Sequence, residues 1–326
     1  MYKILKIGVL GCANIALRSI MPSIKFLYEN FDLTGIASRD FVEAKIHAEQ
    51  YFTRAYKSYQ SLIDDADLDA VYIPLPNSLH AEWIKKALSK GINVLVEKSM
   101  ACSYNEVLEL NNLAKEKNLV LVENFQFRFH SQLQYIKNLI ESGSIGQLRC
   151  MRSSFGFGGL PNENDIRYQK NLGGGALLDT GAYPLKISQI FLGNDIHVKA
   201  SNINYLKDKE VDIWGGAYLK QNNGQLFSEI AYGFHNHYQC NVEFWGSEGK
   251  IFTNRIFTAK DDYTPIVELE NKNGKQILEL PEDDHFRNML LHFYHLCISK
   301  ENLENEYLQN INQARLIDEL KMKSNE

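Results

Sequence analysis

Short apolar segments alternate with amphipathic segments over residues 1–124, and this alternation restricts the fold more than any other feature of the sequence. Buried parallel strands are short and apolar, and helices connect them. The pattern therefore predicts a parallel sheet covered by helices on both faces. The expected strands are residues 3–10, 32–38, 70–73, 93–96 and 120–123, and the expected helices are residues 15–29, 41–51, 58–64, 79–90 and 104–117.

The pattern changes after Glu123. One helix is expected over residues 131–142, and longer segments with alternating polar and apolar residues follow it. Glycine-containing turns such as Asn222-Asn223-Gly224 separate these segments, which is typical of antiparallel strands. The expected strands are residues 148–157, 197–205, 212–220, 225–232, 239–245, 249–253, 266–270 and 275–280. The sequence thus predicts an α/β domain over 1–124 and an α+β domain with a large, mostly antiparallel open sheet over 125–326.

The open sheet needs a cover on both faces. Helices expected over residues 176–191, 283–299 and 303–323 can cover one face. A second copy of the chain can cover the other face, because an exposed sheet surface favours pairing. We therefore expect a homo-oligomer, a dimer or a tetramer, that assembles through this sheet.

Composition and charge argue against several kinds of partner. The net charge is −5 and no segment clusters Lys and Arg, so nucleic acid is not expected to bind. No run of about 18 apolar residues is present to span a membrane, and no signal peptide is expected. The five cysteines are odd in number and widely spaced, so we expect reduced thiols in the cytoplasm and no disulfide framework. No metal site is expected, because His235 and His237 lack other ligands at a suitable spacing.

The first strand ends in Gly11-Cys12-Ala13-Asn14-Ile15-Ala16, a relaxed form of the dinucleotide-binding fingerprint. The first glycine makes the tight turn, the second position lets the backbone approach a pyrophosphate, and the third allows close helix–strand packing. The helix that follows directs its N–H groups at the phosphates. The alternative is a plain strand–turn–helix of an α/β protein.

The second strand ends at Ser38, Arg39 and Asp40. A carboxylate at this position favours NAD, whereas a hydroxyl and a guanidinium suit the 2′-phosphate of NADP. The residues therefore favour NADP over NAD. Asp40 either repels a phosphate or caps the next helix, and Arg39 is alternatively a solvated surface residue.

Three further side chains lie where a doubly wound sheet binds ligands or close to a glycine-rich turn. Lys98 follows the strand over residues 93–96, with Glu97 beside it. Asp179 and Tyr183 follow Gly173-Gly174-Gly175 and share a helix face, because they are four residues apart. The alternatives are a surface Lys98–Glu97 ion pair and a local hydrogen bond between Asp179 and Tyr183.

Five segments in this order and spacing resemble the Gfo/Idh/MocA oxidoreductases over essentially the whole chain. They are GVLGCANIA, IPLPNSLHAEW, VLVEKSMA, VENFQFRFHSQ and GGGALLDTGAYP. The resemblance implies a Rossmann NADP-binding domain over residues 1–124 and a substrate-binding and oligomerisation domain over residues 125–326. The family's Glu-Lys-Pro motif reads Glu97-Lys98-Ser99 here, and Tyr183 replaces the family's histidine. With Asp165-Ile166-Arg167-Tyr168 upstream, this looks most like the branch that reduces keto groups of nucleotide-linked deoxysugars, with C-3 as the expected position.

The chemistry of carbonyl reduction assigns roles to these residues. Tyr183 is the expected general acid, Lys98 its electrostatic and proton-relay partner, and Asp179 an orienting or substrate-binding carboxylate. Which of Lys98 and Tyr183 gives up the proton stays open. The expected cofactor-binding residues are Gly11, Cys12, Ala13, Asn14, Ile15, Ser38, Arg39, Leu75, Pro76, Asn77, His80, Glu97 and Lys98, with His80 alternatively a local cap. The expected substrate-binding residues are Arg128, Arg167, Tyr168 and Asp179, and His130 is a further candidate.

Two other functions compete with an NADPH-dependent ketoreductase. One is an NAD(P)-dependent dehydrogenase of a free sugar or a trans-dihydrodiol on the same scaffold. The other is a regulator that binds NADP without turnover, against which the presence of Lys98 and Tyr183 argues.

Overall fold

The computed structural model describes residues 3–64 and 67–324. The chain folds into two compact units. The first contains the residues up to Asn124 together with Phe286–Ile311, and the second contains Phe125–His285 and the residues from Asn312 onward.

The boundary after Asn124 lies where the sequence places it, but Phe286–Ile311 belongs to the first unit and not to the second. Side chains of this segment bond to the backbone of the first unit. Tyr294 donates to the carbonyl of Lys3 at 3.0 Å and Tyr307 to that of Leu119 at 2.6 Å. The division into 1–124 and 125–326 stays a sequence-based prediction, and its outermost residues lie outside the described ones.

The first unit is built on a six-stranded parallel sheet with the order β3-β2-β1-β4-β5-β6. Its strands are β1 (Leu5–Leu10), β2 (Phe31–Ala37), β3 (Arg54–Tyr56), β4 (Ala70–Ile73), β5 (Asn93–Glu97) and β6 (Leu121–Asn124). Ile7, Val71 and Val94 in its centre have no exposed surface, as expected for strands covered on both faces. Five strands were expected, and β3 is an additional one.

The helices are α1 (Met21–Phe26), α2 (Phe41–Gln50), α3 (Tyr59–Ile63), α4 (Asn77–Ser89), α5 (Tyr104–Glu116), α6 (Ser131–Glu141), α7 (Ala182–Leu192), α8 (His285–Ser299) and α9 (Leu303–Lys323). The helix expected over 15–29 differs from the prediction, because a π-helical turn, Ala16–Ile20, precedes α1 and α1 ends at Phe26. A second π-helical turn, Leu177–Gly181, leads into α7. Neither turn is visible in the hydrophobic pattern.

The second unit is built on an eight-stranded sheet with the order β14-β13-β12-β11-β7-β10-β9-β8. Its strands are β7 (Leu148–Gly156), β8 (Ile196–Tyr205), β9 (Asp212–Gln221), β10 (Phe227–Gly233), β11 (Gln239–Gly246), β12 (Gly249–Asn254), β13 (Ile266–Asn271) and β14 (Gly274–Glu279). Neighbouring strands are antiparallel except β7 and β10, which are parallel. Helix α7 packs against β7 and β10. The mostly antiparallel sheet is confirmed.

Among the described residues, no helix combines the length and the apolar character that crossing a bilayer requires.

Candidate active site

The turn after β1 has the geometry of a phosphate-binding loop. Gly11 has a φ of 122° and donates its N–H to the carbonyl of Ala37 at 2.8 Å. A Cβ on Gly11 would lie 3.0 Å from Leu75 Cδ2, so a larger residue is strained here in both conformation and space. The first N–H groups of a helix have no partner within the helix, and the helical chain starts at Asn14. The turn can therefore hold an anion, and Cys12, Ala13, Asn14 and Ile15 lie in it or in the first helical turn.

The end of β2 carries the donors expected for a 2′-phosphate, and also a carboxylate that the sequence did not predict there. Arg39 is exposed, and the Ser38 hydroxyl donates to Oε2 of Glu43 at 2.6 Å. Asp40 caps α2 by accepting from the N–H of Val42 at 2.8 Å, so of the two expected roles the structure shows the cap. Burial and the nearby Glu43 raise the pKa of the Cys12 thiol to about 12.

His80 links the loops that follow β4 and β5. It is fully buried within α4, with Nδ1 2.8 Å from the carbonyl oxygen of Ser99 and Nε2 2.7 Å from that of Leu75. Burial lowers the pKa of His80 to about 4, so the ring is neutral at neutral pH and donates to one carbonyl at a time. The expectation of a local cap is wrong, because the cap position of α4 is Pro76. His80 instead positions the segment next to Lys98. Leu75 precedes the cap residue Pro76, and Asn77 is the first residue of α4.

Lys98 directly follows β5 and is half-buried. Its neighbour Glu97 accepts hydrogen bonds from Tyr72 Oη and Asn124 Nδ2, each at 2.6 Å. Burial raises the pKa of Glu97, whereas these two donors and the Lys98 ammonium lower it. The carboxyl group of Glu97 is thus held within the sheet.

In the second unit, the glycine-rich turn brings backbone against backbone. A Cβ on Gly174 would lie 2.5 Å from the carbonyl oxygen of Arg167, and one on Gly175 would clash with Asp212 Oδ1. Asp212 was not predicted, and its Oδ2 accepts from the N–H of Leu177 at 2.6 Å. Because of this close approach, the segment around Arg167 lies directly on the turn that carries Asp179.

Asp179 and Arg167 form an ion pair. Arg167 donates through Nε to Asp179 Oδ2 at 2.7 Å, and its Nη1 lies 3.3 Å from Asp165 Oδ1. The two carboxylates raise the pKa of Arg167 further, so the guanidinium stays charged. Two of the predicted substrate-binding residues, Asp179 and Arg167, are therefore in direct contact.

Tyr183 is buried in a cluster of aromatic rings near the start of α7. Its ring centroid lies 5.1 Å from that of Phe155, 5.5 Å from Phe257, 5.6 Å from Phe125 and 5.8 Å from Phe127. Aromatic pairs at these distances fix ring orientation. The fold thus holds the phenol in one position.

The remaining predicted residues of the second unit differ in their surroundings. Tyr168 is buried, and its hydroxyl lies 2.7 Å from Nε2 of His235. Arg128 is half-buried in a short 3₁₀ helix, Gln126–Phe129, and its guanidinium lies 5.1 Å from the Phe129 ring centroid. His130 is buried and caps α6 by accepting from the N–H of Gln132, so it has a local structural role.

Comparison with known proteins assigns both parts of the chain. Residues 5–125 match the model of an oxidoreductase family with an NAD-binding Rossmann fold, and residues 133–252 match the GFO/IDH/MocA C-terminal domain. Two similar proteins are named dTDP-3,4-didehydro-2,6-dideoxy-alpha-D-glucose 3-reductase. One, from Actinomadura kijaniata, is 35% identical over 96% of this chain and 94% of its own. The other, from Saccharopolyspora spinosa, is 38% identical over 90% of this chain and 87% of its own.

A solved structure has the same fold over nearly the whole chain. It is a 3-ketoreductase from Actinomadura kijaniata in complex with NADP and TDP-benzene, with a TM-score of 0.94, 34% identity and 98% of each chain covered. Mutants of that protein with one lysine changed to alanine or glutamate, or one tyrosine to phenylalanine, have also been solved. The present chain belongs to the Gfo/Idh/MocA family of oxidoreductases, with an NAD-binding Rossmann domain at its amino-terminal side.

Proposed function

We propose that the protein is an NADPH-dependent reductase of the C-3 keto group of a dTDP-linked deoxysugar. The observation that carries the proposal is similarity over nearly the full chain to reductases named for such a substrate. Lys98 and Tyr183 support it, because the lysine and the tyrosine substituted in the solved 3-ketoreductase have nearly the same spacing along that chain.

The reduction needs a hydride at carbon and a proton at oxygen, and NADPH supplies the hydride when bound. Tyr183 donates the proton to the carbonyl oxygen. The Lys98 ammonium stabilises the negative charge that develops on that oxygen and on the phenolate. The phenol of reference pKa about 10 needs such a cation to ionise near neutral pH. Asp179 orients the sugar, with its own position fixed by Arg167.

The residues at the carboxyl ends of β1 and β2 suit the dinucleotide. The positive φ of Gly11 and the helix that starts at Asn14 suit a pyrophosphate. Ser38 and the exposed Arg39 supply a hydroxyl and a cation for the 2′-phosphate of NADP. Arg128 and Tyr168 are the residues that we assign to the nucleotide part of the substrate.

We also propose that the chain forms a homo-oligomer through the open face of its eight-stranded sheet. Trp245 on β11 is 52% exposed, and Ile277 on β14 is 61% exposed. Arg152 on β7 lies between Glu229 and Glu243, at 2.6 and 3.3 Å. An aromatic and charged surface of this kind suits a two-fold interface, in which the same patch of both copies pairs with itself and oppositely charged residues can meet across the axis.

The test is turnover with purified protein. Loss of the reduced-nicotinamide absorbance is followed with NADPH and dTDP-3,4-didehydro-2,6-dideoxy-alpha-D-glucose. Gain of the same absorbance is then followed with free sugars and trans-dihydrodiols in the presence of NADP or NAD. The proposal predicts turnover of the dTDP-linked ketosugar. Turnover of free sugars or dihydrodiols alone would support the dehydrogenase alternative, and NADPH binding without any turnover would support the regulator.

Variants of the two proton-handling residues sharpen this test. Tyr183→Phe and Lys98→Ala should each lower kcat by about 10²–10⁴-fold, because general acid catalysis contributes about that much. Both variants should keep the thermal melting profile of the parent chain. Lys85→Ala, at an exposed position of α4, is the matched control and should keep the parent rate. A near-normal rate in either active-site variant would remove that residue from the mechanism.

A further inference from the structure

A thiol, a carboxylate and an imidazole meet beside the glycine turn. Cys12 Sγ, a carboxylate oxygen of Glu43 and a ring nitrogen of His47 all lie within 4.8 Å of one another. Cys12 and His47 are half-buried and Glu43 is exposed, so solvent reaches the cluster. We call these three residues the Cys12 cluster. The reduction proposed above gives the cluster as a whole no role.

The fold itself brings the cluster together. Strands β1 and β2 are parallel neighbours with Leu10 opposite Ala37, so the segments that follow them lie side by side. Helix α2 begins directly after the β2 segment, and Glu43 and His47 are one turn apart on the same face of it. The cluster therefore rests on a strand end and a helix, not on a long loop.

Two hydrogen bonds orient the side chains. Ser38 donates to Glu43 at 2.6 Å, which holds the carboxylate near the strand ends. Nδ1 of His47 lies 3.4 Å from Oε1 of Gln50, one turn further along α2. A second hydrogen-bond partner for a histidine is the usual arrangement at metal sites, where it fixes the orientation of the ring.

The donor atoms of the Cys12 cluster determine which metal ion it favours. One sulfur, one nitrogen and one carboxylate oxygen form a set that Zn²⁺ prefers, whereas Mg²⁺ and Ca²⁺ take oxygen ligands. Ligands around tetrahedral zinc lie about 3.4–3.6 Å apart, given metal–ligand distances near 2.0–2.3 Å. The side chains need to close by about 1 Å to reach that geometry, which rotation about their χ angles allows. The Cys12 thiol releases its proton when it binds the metal.

We propose that Cys12, Glu43 and His47 form an inhibitory binding site for Zn²⁺ that excludes the dinucleotide. The exclusion of the dinucleotide rests on the proposed function, because that function places the cofactor's pyrophosphate at the turn with Cys12 and its 2′-phosphate at Ser38. A bound Zn²⁺ holds the side chains of Cys12 and Glu43 together between the turn after β1 and the segment after β2. The bound cofactor and the bound metal therefore compete for the same space.

The first measurement uses the metal alone, without dinucleotide. Zn²⁺ is titrated into the full chain against a chromophoric chelator, and Co²⁺ is titrated separately. One Zn²⁺ per chain should bind, and Co²⁺ should give the near-ultraviolet absorption band of thiolate ligation. Absence of that band, or its persistence in Cys12→Ser, would exclude Cys12 as a ligand and overturn the proposal.

The second measurement compares two histidine variants. His47→Gln should weaken Zn²⁺ binding at least tenfold and leave NADPH binding unchanged, since His47 is outside the proposed cofactor contacts. His237→Gln, an exposed histidine of the other unit, is the control and should bind Zn²⁺ like the parent chain. Equal zinc affinity in His47→Gln and the parent chain would disprove the site. This result does not depend on what reaction the protein catalyses.

The third measurement tests the competition. Zn²⁺ should raise the apparent Kd of NADPH in proportion to its concentration in the parent chain, and His47→Gln should lose at least tenfold of this sensitivity. Tighter NADPH binding with zinc would mean that the metal bridges to the phosphate, and exclusion would be wrong. If NADPH does not bind even without metal, the cofactor assignment fails, whereas the two preceding measurements still decide the metal site.

Discussion

The side chains near the end of β2 favour different cofactors, and they belong to Ser38, Arg39 and Glu43. The Ser38 hydroxyl is donated to Glu43, so the carboxylate competes with a 2′-phosphate for that donor. A ribose 2′-hydroxyl, in contrast, can itself donate to a carboxylate. The exposed guanidinium of Arg39 favours the phosphate. In the proposed binding mode, selectivity for NADPH therefore depends on Arg39.

Replacing Arg39 should expose this dependence. Arg39→Ala should raise the Kd of NADPH by about 10–100-fold, since a hydrogen bond to a charged group contributes about 1.5–3 kcal/mol. The Kd of NADH should change much less, because NADH has no 2′-phosphate. Fluorescence titration of each reduced dinucleotide measures both constants, with Arg149→Ala, at an exposed position of β7, as the control. Equal losses for the two dinucleotides would contradict the assignment of Arg39 to the phosphate.

At the scale of residues, the sequence predicted where the candidate residues lie along the strands and helices better than it predicted their hydrogen-bond partners. It placed Lys98 at a strand end and Asp179 and Tyr183 in one helical segment, as the structure has them. It did not predict that Asp212 would bond to Leu177, or that His80 would join two loops. The contacts of Asp212 with Leu177 and of His80 with Ser99 connect residues 35 and 19 positions apart, and no local pattern encodes them.

At the scale of elements, a single carboxylate fixes the start of the π-helical turn Leu177–Gly181. Asp212, the first residue of β9, accepts from the N–H of Leu177, and Gly175 leaves room for its other oxygen. Burial raises the pKa of Asp212 from 3.8 to about 6, although the hydrogen bond from Leu177 opposes the shift. The folded chain therefore binds a proton at Asp212 more tightly than the unfolded chain does.

This shift makes a pH-dependent contribution to stability. Because the pKa of Asp212 is raised on folding, its contribution is fully present below pH 3.8 and is lost as the pH rises through about 6. The difference in the free energy of unfolding between the parent chain and Asp212→Asn should change by about 2–3 kcal/mol over this range, in favour of Asp212→Asn at the higher pH. Urea denaturation of both chains at pH 4, 5, 6 and 7 measures this change in the free energy of unfolding, since the series spans about the unfolded and folded pKa values of Asp212. A difference that stays constant with pH would show that Asp212 titrates normally.

The elements that the sequence missed have weak local signals. Strand β3 is only three residues long, and its first residue, Arg54, is exposed, so no apolar run marks it. The parallel pairing of β7 with β10 was not predicted either, because alternation identifies strands without identifying their neighbours. The long strands and α9 were predicted well, since their periodic patterns extend over many residues.

At the scale of the whole molecule, one row of side chains crosses the open face of the eight-stranded sheet. Strand register places Tyr218, Glu229, Arg152, Glu243 and Phe252 opposite one another in this order. Charges alternate in its middle, and the Arg152 guanidinium lies 5.4 Å from the ring centroid of Trp245. A central pattern of charges beside exposed aromatic rings can pair with a copy of itself, which is why we assign the oligomer contact to this face.

A charge placed on this face should therefore separate the subunits. The chain has a mass of 37.4 kDa, and the parent protein should elute with a light-scattering mass of two or four chains. Trp245→Glu should shift the protein to the mass of one chain at micromolar concentration, because burying an unpaired carboxylate in the interface is costly. The substitution also removes the flat apolar ring beside the row of charges. Leu308→Glu, 45% exposed on α9 in the other unit, is the control and should assemble like the parent chain. A parent protein with the mass of one chain would disprove the oligomer. A Trp245→Glu variant that assembles normally would place the contact elsewhere.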